Sequence, residues 1–188
     1  MTKTQKIIIG SVFGLVLVGY AVYFITRRRK KTDQMKNYII GDSQTPFIDR
    51  NSTKASRVAE ESGEAALWKG GMGLSWLKGA VEKYPVSNDV NSIIINIGTN
   101  GGFSANDDVN GLVSAVKTKF PNAKLFAVQG SWGWGGNKNI TTEKVAQYYD
   151  RFKALGVKII EPPIGSVNDP HGNLPVYAQI GQQIDNLL

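Results

Sequence analysis

One serine and one histidine are the residues of this chain best suited to covalent chemistry. Ser43 ends the run Tyr38-Ile39-Ile40-Gly41-Asp42-Ser43, in which a short apolar stretch breaks off at a glycine. His171, within Asp169-Pro170-His171, is the single histidine among 188 residues. A serine after Gly-Asp is in most settings a turn or cap residue. It becomes a nucleophile when an imidazole accepts its proton and a further group holds that imidazole in place. Asp169 and Asn168 both stand close enough in sequence to His171 to hold it. Acyl transfer also needs N–H donors for the oxyanion. The backbone N–H of Gly73, the side-chain amide of Asn100 and the N–H of Ser43 itself are candidates.

Composition narrows the alternatives. There is no cysteine, which excludes disulfides, thiolate metal sites and a cysteine nucleophile. A single histidine excludes a histidine-rich zinc centre. The formal charge of +7 suggests a polyanion partner until it is divided along the chain. Seven of the 22 basic residues (Lys3, Lys6, Arg27, Arg28, Arg29, Lys30 and Lys31) lie within residues 1–32, which hold no acid. Those left over balance the 15 acidic residues one for one. A folded domain that gripped nucleic acid would carry the excess itself. No nucleic-acid role is expected.

The basic excess belongs to an N-terminal segment of another kind. Residues 7–26 are uncharged and strongly apolar, and as a helix they would span about 30 Å, the thickness of a bilayer's hydrocarbon core. Five consecutive cations follow, and no small-residue cleavage pattern does. That favours a retained single-pass anchor over a cleaved signal peptide. The cations place the following domain on the cytoplasmic side by the positive-inside rule. Gly10 and Gly14 form a GxxxG that would let two such helices self-associate. The expected division is therefore an anchor with its basic flank over residues 1–31, a linker over 32–37, and a domain over 38–188. Only residues 32–42 separate the flank from Ser43, a short tether that favours substrates in or near the membrane.

The elements that must position Ser43 and His171 follow from periodicity. Short apolar runs at 38–41, 92–97, 124–128 and 157–160, with a weaker one at 65–69, read as strands. Apolar residues at helical spacing mark helices over 74–84, 107–120, 141–155 and 174–188. Residues 49–62 read as loop with some helix. Strands alternating with helices, and apolar on both faces, predict an α/β fold with a parallel five-stranded sheet covered on both sides. Ligands of such sheets bind beyond the carboxyl ends of the strands. The loops there begin at Asp42, Gly70, Gly98, Gln129 and Glu161.

Four short blocks in those loops resemble the SGNH (GDSL-type) hydrolases, esterases and deacetylases on a flavodoxin-like sheet. Gly41-Asp42-Ser43 resembles the nucleophile block and Gly73-Leu74-Ser75 the second. Gly98-Thr99-Asn100 resembles the third and Asp169-Pro170-His171 the last. The resemblance implies Ser43 as nucleophile and His171 as base. It also implies Ser43, Gly73 and Asn100 as oxyanion donors, with Gly71 as a lesser alternate to Gly73. The chain departs from the family at two places. Asn168 stands where an aspartate is usual, so the catalytic partner of His171 is either Asp169 from a shifted loop or a backbone carbonyl. Gly101-Gly102 replaces an aspartate after Asn100 and leaves that side chain less buttressed.

The expected activity is that of a membrane-tethered serine esterase cleaving a small acyl or acetyl ester of lipid or glycan, with no cofactor and no metal. Trp132 and Trp134, spaced by glycines in the loop after the fourth strand, are candidates for a substrate wall or for a packed lid. Trp76 is equally suited to plain core. The contrasting expectation is a catalytically idle protein of the same fold, anchored in a membrane as a component of a virion or envelope.

Overall fold

The computed structural model of the chain describes residues 36–58, 66–97, 100, 103–130, 140–161, 171 and 174–188. Among the described residues five strands alternate with five helices. In order they are β1 (Lys36–Gly41), α1 (Thr45–Asn51), β2 (Ser56–Arg57), α2 (Leu74–Lys83) and β3 (Val90–Asn96). Then come α3 (Val109–Lys119), β4 (Lys124–Val128), α4 (Thr142–Ala154), β5 (Lys158–Ile160) and α5 (Leu174–Leu187). The strands form one sheet in the order β2-β1-β3-β4-β5, and every neighbouring pair is parallel.

The isoleucine-rich strands explain the two layers. On a strand, successive side chains point to opposite faces. Ile40, Ile93, Ile95 and Ala127 meet Leu77, Val81, Leu112, Val116 and Phe152 from α2, α3 and α4. Ile39, Ile94, Phe126 and Ile160 meet Ile48 of α1 and Tyr177, Ile180 and Ile184 of α5. Ile39, Ile40, Ile93 and Ile94 have no exposed surface, and each such side chain contributes about 1.5–3 kcal/mol through burial. Polar residues set the helix starts. The Asp108 carboxylate accepts from the Gly111 N–H at 2.9 Å ahead of α3, and the Thr141 hydroxyl accepts from the Lys144 N–H at 3.3 Å ahead of α4. A side-chain cap of this kind contributes about 1 kcal/mol.

Three expectations are corrected. The second strand is Ser56–Arg57, not residues 65–69; Tyr38 and Ile39 of β1 pair with Ser56 and Arg57. The later stretch only bridges the upper end of β1, where the Gly41 N–H donates to the Leu67 carbonyl at 2.9 Å and the Lys69 N–H to the Gly41 carbonyl at 3.0 Å. One edge of β1 is thus shared by two segments, each too short to carry a strand pattern. Next, α1 starts two residues after Ser43, where no helix was expected, with Pro46 in its first turn as its fixed φ allows. Finally, β1 begins at Lys36, inside the expected linker, because Lys36 pairs with Val90 and forms an ion pair with Asp89 at 2.9 Å. The remaining elements match their expected positions to within two residues.

Lys36–Leu188 is one compact unit. Among the described residues no helix is long and apolar enough to cross a membrane. The anchor expected over 7–26, with Gly10 and Gly14, lies outside the described residues.

Candidate active site

Ser43 sits where β1 turns into α1, at the carboxyl edge of the sheet. Gly41 makes that turn possible. Its φ is +150°, and a Cβ there would fall 1.8 Å from the Asn96 carbonyl oxygen of the adjacent strand. No other residue fits so close to a neighbouring backbone. The next N–H, that of Asp42, donates to the same Asn96 oxygen at 3.0 Å. The Thr45 N–H then returns to the Asp42 carbonyl at 3.1 Å. The turn is fixed on both sides of the serine, so its hydroxyl has a defined direction.

His171 meets that hydroxyl. Its Nε2 lies 2.9 Å from Ser43 Oγ, though 128 positions separate the two in the chain. That distance is within the range for direct proton transfer. The imidazole is braced by aromatic packing: the Phe47 ring of α1 lies 5.2 Å from it at 51°, and Phe47 in turn stacks on Tyr177 of α5 at 5.1 Å. One element therefore carries both the serine's turn and the brace of its partner. Asp169 and Asn168, the candidate orienting groups, lie outside the described residues, as do Trp132 and Trp134.

Beneath the serine is a buried polar cluster centred on Asp42, which is 1% exposed. Its Oδ1 accepts from the Gln44 N–H at 2.9 Å and from the Asn96 amide at 3.4 Å. Its Oδ2 accepts from the Asn100 amide at 3.0 Å. Burial pushes the carboxyl up to about 7, and the Gln44 N–H opposes that rise. Asn100 is thus held firmly despite the glycines that follow it. Sequence reasoning assigned Asp42 no role; the signal was its place between a buried strand and the proposed nucleophile.

The oxyanion donors converge less completely than expected. Asn100 Nδ2 donates to Asp42 and also, at 2.9 Å, to the Met72 carbonyl. An amide nitrogen has two hydrogens, and both are engaged. The Met72 carbonyl also fixes the next N–H, because in a trans peptide the two point in opposite directions. With that carbonyl turned towards Asn100, the Gly73 N–H is turned away from it. Gly73 stands at the head of α2 with open space where a Cβ would be, and Gly71, at φ +74°, also has open space there. Gly70 approaches Ser43 more closely: a Cβ on it would lie 3.7 Å from Ser43 Cβ. Among the described residues the Ser43 N–H is engaged by no acceptor. Trp76 packs against the core from α2 as a partly buried side chain.

Comparisons with known proteins agree with this architecture. No protein-family model matches the chain, and no curated protein does. Solved structures do match. A member of the lipolytic G-D-S-L family from Veillonella parvula superposes with a TM-score of 0.57 at 13% identity, covering 82% of this chain and 100% of its own. A protein assigned to the same family from Desulfitobacterium hafniense gives 0.56 at 13%, covering 82% and 99%. The C-terminal catalytic domain of peptidoglycan O-acetyltransferase A from Streptococcus pneumoniae, solved with a methylsulfonyl adduct, gives 0.51 at 12%, covering 80% and 94%. The domain has the fold of the GDSL (SGNH) hydrolases.

Proposed function

We propose that the domain is a serine ester hydrolase of the SGNH type, acting on a small acyl or acetyl ester from a membrane tether. The 2.9 Å approach of His171 Nε2 to Ser43 Oγ carries the reading, because such a contact across 128 positions of a fold typical of ester hydrolases has a direct chemical use. Ser43 Oγ attacks the acyl carbon as its proton passes to His171 Nε2. The imidazolium returns that proton to the departing alcohol, leaving Ser43 acylated. Water then attacks the acyl-serine with His171 again as base, releasing the carboxylic acid and restoring the hydroxyl. Asp169 is the proposed orienting group for His171.

The oxyanion site needs one rearrangement. Rotation of the Met72–Gly73 peptide would turn the Gly73 N–H towards Asn100 and release one Asn100 hydrogen. The two could then join the Ser43 N–H on the developing charge. Gly73 itself and Gly71 on the other side of Met72 make that rotation sterically cheap. The lipolytic and acetyl-transferring descriptions of structures with this fold support an acyl ester as substrate class.

One observation favours the second reading, an idle SGNH-fold component of a membrane or envelope. Both hydrogens of Asn100 are committed elsewhere, as in a site that no longer turns over. Hydrolysis of p-nitrophenyl acetate separates the two. The esterase reading expects turnover that Ser43→Ala lowers by about 10³-fold or more. Equal rates for wild type and Ser43→Ala, both folded, would leave the idle reading standing.

A further inference from the structure

The edge of the sheet opposite Ser43 carries features that catalysis does not use. Each helix leads back to the amino end of the next strand, so the helix C-termini gather at that edge beside the strand starts. Hydrogen bonds tie its loops together. The Ser87 N–H donates to the Lys119 carbonyl at 2.8 Å, the Asn122 amide to the Asn88 carbonyl at 3.0 Å, and Lys117 Nζ to the Leu155 carbonyl at 3.2 Å. On this edge stand Lys83, Lys117, Lys119, Lys124 and Lys158. Among the described residues none of the five pairs with a carboxylate. The acids nearby are already engaged: Asp89 by Lys36, Glu82 by Lys78, Asp150 by Lys153, and Asp185 by Ser52, Thr53 and Lys54. At the opposite edge lie Asp107, Asp108, Glu143 and Glu161. Among the described residues, the lysines without a carboxylate partner stand mostly at the amino edge.

Lysines at helix ends have an ordinary explanation, since they complement the helix dipole. That covers Lys83, Lys117 and Lys119. It does not cover Lys124, the first residue of an interior strand, or Lys158, the first of β5. A second, independent observation is apolar. Among the described residues the exposed large hydrophobics are Val86, at 58%, and Leu187, at 40%. Val86 lies in the loop between α2 and β3, beside Lys83. Leu187 lines an open depression of about 520 Å³ together with Lys117, Lys124, Lys158, Leu125 and Phe126. Cations without a carboxylate partner, on an edge that also exposes apolar side chains, suit an interface that is anionic at its surface and hydrocarbon just below. Nucleic acid would have no use for Val86 and Leu187.

We propose that this amino-terminal edge docks on an anionic lipid bilayer. The lysines meet the headgroups while Val86 and Leu187 enter the interface. Each lysine so placed strengthens binding by about fivefold. The polypeptide enters the unit at Lys36, on this same edge, and five cations precede it at 27–31 in the sequence. With β1 rising about 3.3 Å per residue, the Ser43–His171 pair then opens on the side away from the docked bilayer. The substrate it reaches lies in the facing compartment, rather than in the supporting membrane that the short tether suggested.

The chain has no cysteine, so Val86→Cys, Leu187→Cys or, as the control, Asn106→Cys in the exposed turn ahead of α3 at the opposite edge gives a single thiol for an environment-sensitive fluorophore. The full-length labelled chain is combined with phosphatidylcholine vesicles, with or without phosphatidylglycerol, and quenched with acrylamide. Docking predicts severalfold protection at residues 86 and 187 in anionic vesicles only. It also predicts loss of that protection on adding Lys83→Glu, Lys124→Glu and Lys158→Glu, and no protection at 106. Quenching at 86 and 187 that ignores lipid charge would overturn it. So would protection confined to 106, or protection by duplex DNA but not by vesicles. A membrane anchor holds the chain on both vesicle types, and any response of its basic flank to lipid charge would persist in the glutamate variants, so neither mimics the predicted result.

Discussion

The two edges of the sheet are built on opposite rules. At the carboxyl edge, three buried polar side chains pair with one another: Asp42, Asn96 and Asn100 form a network under Ser43, and the Gly41 backbone is too close to its neighbour to accept a side chain. At the amino edge, five lysines have no carboxylate among the described residues, and two apolar side chains stand in solvent. A buried network resists change and fixes direction, as chemistry at one bond requires. An open, uncompensated surface costs the fold little and is free to meet a partner. Substitutions at the first edge should therefore be severe for activity or for folding, and at the second nearly silent for both.

Replacing the base gives the largest contrast. His171→Ala should lower ester turnover by about 10³-fold or more while the denaturation midpoint stays close to that of wild type. A fully active variant would refute the assigned role, because the chain has no other histidine. Gly41→Ala should instead act through the fold. A methyl group cannot occupy the space of the Asn96 carbonyl, and the loss is about 4 kcal/mol or more, measurable by urea unfolding.

Asn100→Ala sharpens the account of the oxyanion donors. If the Met72–Gly73 peptide rotates as proposed, kcat should fall by about 10²–10³-fold; unchanged kcat would mean Asn100 serves only to hold Asp42. Asp42 itself makes a pH prediction. Its carboxyl titrates near 7 in the fold against 3.8 for the ordinary group, so the folded state holds the extra proton between those values. Stability should therefore fall as pH rises from about 4 to about 7, by at most about 4 kcal/mol. Asp42→Asn should lack that slope in urea titrations across the window. At the amino edge, Lys83→Glu, Lys124→Glu and Lys158→Glu should each change stability by about 0.5 kcal/mol or less and leave ester turnover alone.

Most of the architecture was legible because burial on both faces writes a dense code. Ser92-Ile93-Ile94-Ile95 can hardly be other than a central strand, and the face formed by Leu74, Leu77 and Val81 repeats at helical spacing. The edge strand was not legible. Ser56 and Arg57 owe their place to pairing with Tyr38 and Ile39, not to any pattern of their own, and a seven-residue helix such as α1 is too short for periodicity. The Ser43–His171 pairing was anticipated from motif order, which reports evolutionary resemblance rather than local physics. Asp42, Phe47 and the Met72 carbonyl were missed, since their roles arise from distant segments meeting at a turn. The lysines of the amino edge were hidden because a count of charges along the chain says nothing of where the fold gathers them.

Active-site labelling tests the central claim most directly. The full-length protein is incubated with a fluorophosphonate and its mass and modified peptide are determined. A serine activated by His171 predicts one covalent adduct, located on Ser43, that disappears in Ser43→Ala and is strongly slowed in His171→Ala. A folded protein that takes up no label, or takes it up equally in Ser43→Ala, would contradict the account.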